Sequence, residues 1–252
     1  MEQQIDQKRE NALIRATLFV FFVSGASSVL MGNLMPFLRE TYDISYAQAG
    51  FLLSLPSWGN IASIFITGYL PTCIGRRKSV LLTAMWMAVA FLIITLGLGG
   101  AGALAVACVM IGIARGGNTN FSNTMMSTLP GKKSAIGYNL LHGAFAMGAV
   151  LSPLALVACT RGNNSGWKLM TAGITVLCLI QLAVYLRMNL PAENITRSIR
   201  SVDRSFLKNQ NFWLGASILF FYISAEYAIV NWLVTYFKDT GILNSQVSQL
   251  MS

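Results

Sequence analysis

The chain has 252 residues, of which 54% are hydrophobic and only 11% charged, whereas soluble domains carry about a quarter charged residues. That balance excludes an ordinary water-soluble globule. The net charge of +9 does not describe a nucleic-acid face either, because the basic residues, Arg115 apart, sit in or beside the gaps between long apolar runs and form no continuous face with interleaved aromatics.

The amino end resembles a secretory leader, with Lys8, Arg9 and Arg15 ahead of an apolar stretch. The apolar run continues through Leu30, Leu34 and Met35, too long for a signal h-region, and reads as an uncleaved first membrane helix. A spanning helix needs about 20 mostly apolar residues. The chain supplies that length seven times, over 14–38, 48–70, 79–97, 101–128, 135–159, 167–188 and 212–237, with an eighth starting near Gln246. The expected fold is therefore all-α, a polytopic membrane helix bundle. The longest connection, 190–211, is polar and basic; it separates a six-helix unit, 1–189, from the start of a second, 212–252. Within it Ile199, Val202 and Phe206 recur at three and four, the pattern of a short amphipathic helix on a leaflet.

Basic residues set the expected orientation. With the amino terminus in the cytoplasm, thirteen Lys and Arg fall in inner segments and four, Arg39, Arg161, Lys168 and Lys238, in outer ones. That split follows the positive-inside tendency and predicts an integral protein of the plasma (inner) membrane. Four scattered cysteines and one His form no metal-ligand pattern. The sequence has no G-x-S-x-G elbow and no H-E-x-x-H, so neither an enzyme nor a bound cofactor is expected, a coupling proton or ion aside.

Ionisable side chains inside spans are costly, about 2.5 to 3.5 kcal/mol at mid-bilayer, and each needs a reason. Arg115 in the fourth span and Glu226 in the seventh both fall near mid-depth, where they could pair. His142 in the fifth has the reading of a hydrogen-bonded helix contact. Around Arg115, steps of three and four align Asn118, Thr119 and Ser122 in one polar stripe, and Asn120, Asn123, Thr124 and Ser127 in another. So broad a polar surface must line water, a ligand or other helices. The first span adds Ser24, Ser27, Ser28 and Asn33; the second adds Ser54, Ser57, Trp58 and Asn60. Each of these residues has two readings, glue between membrane helices or lining of a site. Amides, hydroxyls and aromatics together suit a neutral, hydroxyl-rich solute.

The stretch from Gly68 to Lys78, G-Y-L-P-T-C-I-G-R-R-K, lies between the second and third spans. It resembles the motif G-x-x-x-D-x-x-G-R-R/K of the major facilitator superfamily of secondary transporters at Gly68, Gly75, Arg76 and Arg77, with Thr72 where the motif has its acid. L-L-H-G-A-F-A-M-G-A-V-L-S-P from Leu140 to Pro153, and Y-I-S-A-E-Y-A-I-V-N-W-L-V-T-Y from Tyr222 to Tyr236, are similar to the fucose-permease-like sugar transporters. The resemblance implies two six-helix halves about a central cavity lined by helices one, four and seven. This chain would hold the amino-terminal half, the seventh helix and the start of the eighth, and a C-terminal helical half would be its missing partner. The carboxylates that relatives carry in the first and fourth helices are absent here, which leaves Glu226 as the intramembrane acid.

The expectation is a transporter of a small polar solute, a sugar, working by alternating access in the lipid bilayer. Arg115, Asn118, Thr119 and Glu226 are the expected cavity groups, followed by Trp58 and Asn231, with Gly68, Gly75, Arg76 and Arg77 forming a gating loop. The polar inner face of one half alone would meet nothing, so these 252 residues by themselves are not expected to transport. An exporter of amphiphilic compounds, using the abundant Met and Phe, and a non-transporting membrane receptor or assembly factor are the alternatives.

Overall fold

The computed structural model describes residues 2–129, 131–163, 165–188 and 205–241. They form seven long helices: α1 (Glu2–Tyr42), α2 (Tyr46–Ile74), α3 (Arg76–Leu96), α4 (Gly100–Ser127), α5 (Lys132–Thr160), α6 (Gly166–Arg187) and α7 (Gln210–Thr240). A 3-10 turn, Ser205–Lys208, precedes α7. The fold is all-helical among the described residues, and all seven helices are long and apolar enough to cross a membrane. The amphipathic stretch expected around Ile199 and Val202 and the eighth span lie outside the described residues. The first helix begins at Glu2, well before its apolar run, because a helix that leaves the lipid keeps its internal hydrogen bonds without apolar side chains.

Short turns alternate between the two ends of the bundle. One end holds the turns after Tyr42, Leu96 and Thr160 and the finish of α7; it is called the Glu40 end below. The other holds the start of α1 and the turn after Ile74, and is called the Arg76 end. The tightest helix pairs are α2 with α4 and α1 with α5, followed by α3 with α6 and with α4.

Glycine makes the first two pairs possible, since in lipid helices associate by close packing and not by hydrophobic expulsion. A Cβ on Gly112 of α4 would lie 2.1 Å from the carbonyl oxygen of Pro56, and one on Gly59 of α2 would lie 2.3 Å from that of Val109. The α1–α5 crossing repeats the arrangement, with Gly25 at 2.0 Å from the Phe145 oxygen and Gly148 at 2.0 Å from that of Phe22. The main apolar core fills the Glu40 end, where Leu30, Leu34 and Met35 of α1 meet Met87 and Phe91 of α3, Ile111 of α4 and Trp167 of α6. Large side chains such as Phe65 of α2, Leu151 of α5 and Phe220 of α7 remain on the outside, a surface suited to acyl chains.

The α7 helix is attached only along its far part. Every residue from 210 to 229 is exposed, and Val234 and Thr235 are the buried ones. Two glycines admit it. Gly32 of α1 faces the backbone of Asn231, 2.9 Å from a Cβ position, and Gly50 of α2 faces the Trp232 ring at 3.4 Å. Beyond that crossing α7 follows α1 to the Glu40 end and meets α2 through Tyr46; the part before it, 210–229, is exposed.

Candidate functional site

The gap beside α7 is divided into two cavities. One, of about 600 Å³, lies between α2, α4 and α7. Its polar lining is Ser54, Ser57 and Asn60 of α2, Arg115 of α4, and Ser224, Tyr227 and Asn231 of α7, with Trp232 as an aromatic wall. The other, of about 360 Å³, lies between α1, α5 and α7. It is mainly apolar, with Phe145, Val150, Pro153 and Leu154, and carries Ser28 and the Glu226 carboxylate. Tyr227 and Asn231 border both. Between them only a gap of about 10 Å³ remains, walled by Met31, Leu53 and Ile111, room for about one water.

Arg115 is held at the larger cavity by its helix. Gly112 and Gly116 press α4 against α2, so the residue between them and one step aside projects along the crevice toward α7. Its Nη2 donates to the Tyr227 hydroxyl at 3.4 Å. The expected Arg115–Glu226 pair does not form: the ion pairs among the described residues are Lys133–Glu10 and Lys238–Glu40. The reason is helical phase. Ser224, Tyr227 and Asn231 stand three and four apart on one face, which α7 turns to Arg115; Glu226, about 100° away on a helix with 3.6 residues per turn, opens on the other cavity.

The polar stripe of α4 also divides. Asn118 is fully buried and points to α3, its Nδ2 donating to the Met87 sulfur at 3.5 Å. Ser122 is likewise fully buried, a neighbour of Tyr185 on α6 with no hydrogen bond formed between them. Thr119 is half-buried and lines neither cavity. Asn120 donates to Thr67 at 2.8 Å and ties α4 to α2, while Thr124 and Ser127 turn back on their own helix carbonyls. Of the first-helix residues, Ser28 reaches a cavity, whereas Ser24, Ser27 and Asn33 are buried within the bundle. Trp58 is 66% exposed and absent from both linings; its neighbour Ser57 takes the inward place. His142 is exposed, with its ring edge-on to Phe21 at 6.4 Å between centroids.

Tyr227, Ser224 and Trp232 also line the larger cavity, although neither charge nor motif marks them in the sequence. Stepping back from Asn231 by four and then three would have found Tyr227 and Ser224.

At the Arg76 end, Gly75 joins α2 directly to α3 with φ 82°, a value that a side chain resists. Gly68 lies inside α2 with open space where a Cβ would be. Arg76 is buried, and Arg77 donates from Nη2 to the Leu186 carbonyl at 2.8 Å, capping the last turn of α6. Thr72 donates to the Tyr69 carbonyl of its own helix and also lies 4.0 Å from the Cys73 sulfur.

The sequence matches the Major Facilitator Superfamily over residues 17–252. With seven spanning-length helices folded as described, the chain belongs to that superfamily and is an integral membrane protein. Among solved structures it is similar to a D-xylose-proton symporter, with a TM-score of 0.73 at 14% identity, covering 96% of this chain and 64% of that one. It is also similar to a bacterial homologue of the human lysosomal transporter Spinster in an inward-facing and occupied conformation, with a TM-score of 0.74 at 15% identity, covering 96% and 57%. A proton:xylose symporter bound to 6-bromo-6-deoxy-D-glucose matches with a TM-score of 0.66 at 14% identity, covering 93% and 55%. The chain thus spans just under two thirds of the first of these and a little over half of the others. A search of curated protein sequences finds no match.

Proposed function

We propose that this chain forms the first six-helix half, the connector and the beginning of the second half of a secondary active transporter. It moves a small polar solute, a sugar, by alternating access across the plasma (inner) membrane, with the amino terminus and the Arg76 end in the cytoplasm. The observation that carries the reading is the larger cavity. Four hydroxyls, two amides and a guanidinium converge on about 600 Å³ beside an indole, a volume within the usual range for small-molecule sites. Hydroxyls and amides both donate and accept, as a sugar hydroxyl does, and an aromatic face suits the apolar side of a sugar ring. Arg115 and Asn231 are the main solute contacts. Glu226, across α7, is the group that takes up a coupling proton. Asn118 and Thr119 act through α4, which they pack and orient.

The similarity of 140–153 and 222–236 to fucose-permease-like transporters supports the sugar reading, and the thirteen-to-four distribution of basic residues supports the orientation. The apolar lining of the smaller cavity favours one rival, an exporter of amphiphilic compounds. Uptake of labelled pentoses and hexoses by cells producing the transporter with both helical halves present separates the two. Sugar accumulation that falls at least tenfold in Arg115→Ala supports the sugar reading. No sugar accumulation, or accumulation indifferent to Arg115→Ala, rejects it, and efflux of a cationic dye would then point to the exporter.

A further inference from the structure

With Glu226 turned away by the phase of α7, the larger cavity holds a single charge. Arg115 is the one ionised group among its lining residues, and no Asp or Glu joins it there. A guanidinium has five N–H donors. Among the described residues Arg115 uses one polar partner, the Tyr227 hydroxyl, in the long bond at 3.4 Å. A cation within a membrane is stabilised when it faces an anion, and the described helices bring none within ion-pair distance of this one.

The cavity is also polarised along its length. Arg115 and Asn60 lie toward the Arg76 end, where the Asn60 Oδ1 occupies space that a Cβ on Gly116 would need. Trp232 lies five residues beyond Tyr227 on α7, about 7.5 Å along the helix axis. Its Cζ2 is 3.4 Å from the Cβ position of Gly50, so a glycine on α2 makes room for the indole. Ser54 and Ser57 stand on α2 between the two ends. The order of groups along the cavity is therefore cation, hydroxyls, indole.

We infer that the solute is a sugar acid, a polyhydroxylated monocarboxylate whose carboxylate is held by Arg115 and whose hydroxyl-bearing body lies along Ser54, Ser57 and Asn231 against Trp232. A carboxylate accepts two parallel N–H bonds from one guanidinium, which uses donors that Tyr227 leaves idle. One cation matches one negative charge. A phosphate ester, with a charge of about −1.5 to −2, would bring a second charge that no further Lys or Arg of the lining answers. A neutral amide in the place of the carboxylate would turn an N–H toward the N–H groups of Arg115 and leave them unpaired, the kind of mismatch that buried polar sites reject most strongly. The inference narrows the sugar reading above and rests on it.

The experiment titrates D-glucuronate, D-glucuronamide, D-glucose and glucose 6-phosphate into the transporter with both helical halves present, in lipid nanodiscs at neutral pH, by isothermal titration calorimetry. Glucuronate is expected to bind at least about tenfold more tightly than glucuronamide or glucose, because hydrogen bonds to charged groups contribute more than neutral ones. Arg115→Lys keeps the charge and loses the planar fork, and is expected to reduce that preference several-fold. Arg115→Gln is expected to remove it. The inference is overturned if glucuronamide or glucose binds the parent as tightly as glucuronate, if glucose 6-phosphate binds more tightly, or if the preference survives Arg115→Gln. Should the variants fail to fold, the comparison of solutes on the parent decides alone. Equal binding of acid and neutral sugars sinks this inference and leaves the sugar reading standing, whereas binding of none of them sinks both.

Discussion

The Arg115 guanidinium, on the fourth helix, donates to the Tyr227 hydroxyl on the seventh at 3.4 Å, and both residues line the larger cavity. The contact joins a cation that lipid would reject to the helix that begins the second unit. At that length it is a loose bond, outside the usual 2.7 to 3.2 Å for nitrogen donors, and a ligand hydroxyl can replace either partner. Tyr227→Phe is expected to lower solute affinity by about two- to tenfold through loss of one neutral hydrogen bond. Arg115→Ala is expected to lower it at least tenfold, because bonds to charged groups contribute more, about 1.5 to 3 kcal/mol. Quenching of Trp232 fluorescence on titration with sugars measures both; equal losses would mean that the two residues act only as a pair.

Removing the α1–α7 close approach tests how α7 is seated. A Cβ on Gly32 would stand 2.9 Å from the Asn231 Cα and from the Val230 oxygen, and both obstacles are backbone. Gly32→Val is therefore expected to push α7 off α1 and to lengthen the distance between nitroxide labels placed at Thr41→Cys and Thr240→Cys, read by double electron-electron resonance, whereas Gly215→Ala, with nothing within 4 Å, is expected to leave it alone. Unchanged distances in Gly32→Val would count against the crossing.

The helix pairs of the six-helix unit make a stability prediction. Gly112→Val and Gly148→Val drive side chains into carbonyls 2.1 and 2.0 Å from their Cβ positions, and each is expected to cost about 3 kcal/mol by overpacking. Gly143→Ala, on the same helix as Gly148 but facing open space, is expected to be neutral or to stabilise by up to about 1 kcal/mol through helix propensity. Thermal unfolding in detergent, followed by circular dichroism, gives the order.

The α2–α3 turn makes a subtler one. Gly75→Ala meets no atom but forces a side chain to φ 82°, a cost of about 1 to 3 kcal/mol. Arg77→Ala frees the Leu186 carbonyl at the end of α6 and is expected to cost about 1 kcal/mol. The two sites lie two residues apart, so the double variant tests whether the effects add.

Orientation is open to a chemical probe. Cys73 is exposed at the Arg76 end, so a membrane-impermeant maleimide is expected to label it only after cells are opened, while Thr240→Cys is labelled in intact cells. The reverse pattern would invert the topology drawn from the basic residues.

Much of the architecture was legible in the chain itself, because a bilayer imposes one rule at every position: about 20 apolar residues or no crossing. That rule located seven helices to within a few residues at most ends. It misplaced the start of α1, where water and not lipid surrounds the helix and apolarity is no longer required. The motif around Gly75 was readable too, since a positive φ at a junction between two helices selects glycine. What α4 does with its polar residues was not readable. Arg115, Asn118 and Ser122 share a period, yet Asn118 is taken by Met87 of α3 and Ser122 is covered by Tyr185 of α6, so only Arg115 is left to the cavity.

Periodicity states which residues share a helix face; it does not state which neighbour, or none, covers that face at each depth. For the same reason Trp58 turned outward while Ser57 lined the site, and Arg115 met Tyr227 in place of the adjacent acid. Composition and hydropathy by themselves determined that this chain is a membrane bundle and where its helices run, since those follow from the solvent each segment must tolerate. Only the tertiary structure decided which polar groups meet, because a rotation of one residue along a helix, about 100°, moves a side chain from one cavity to another at no cost that the sequence pattern records.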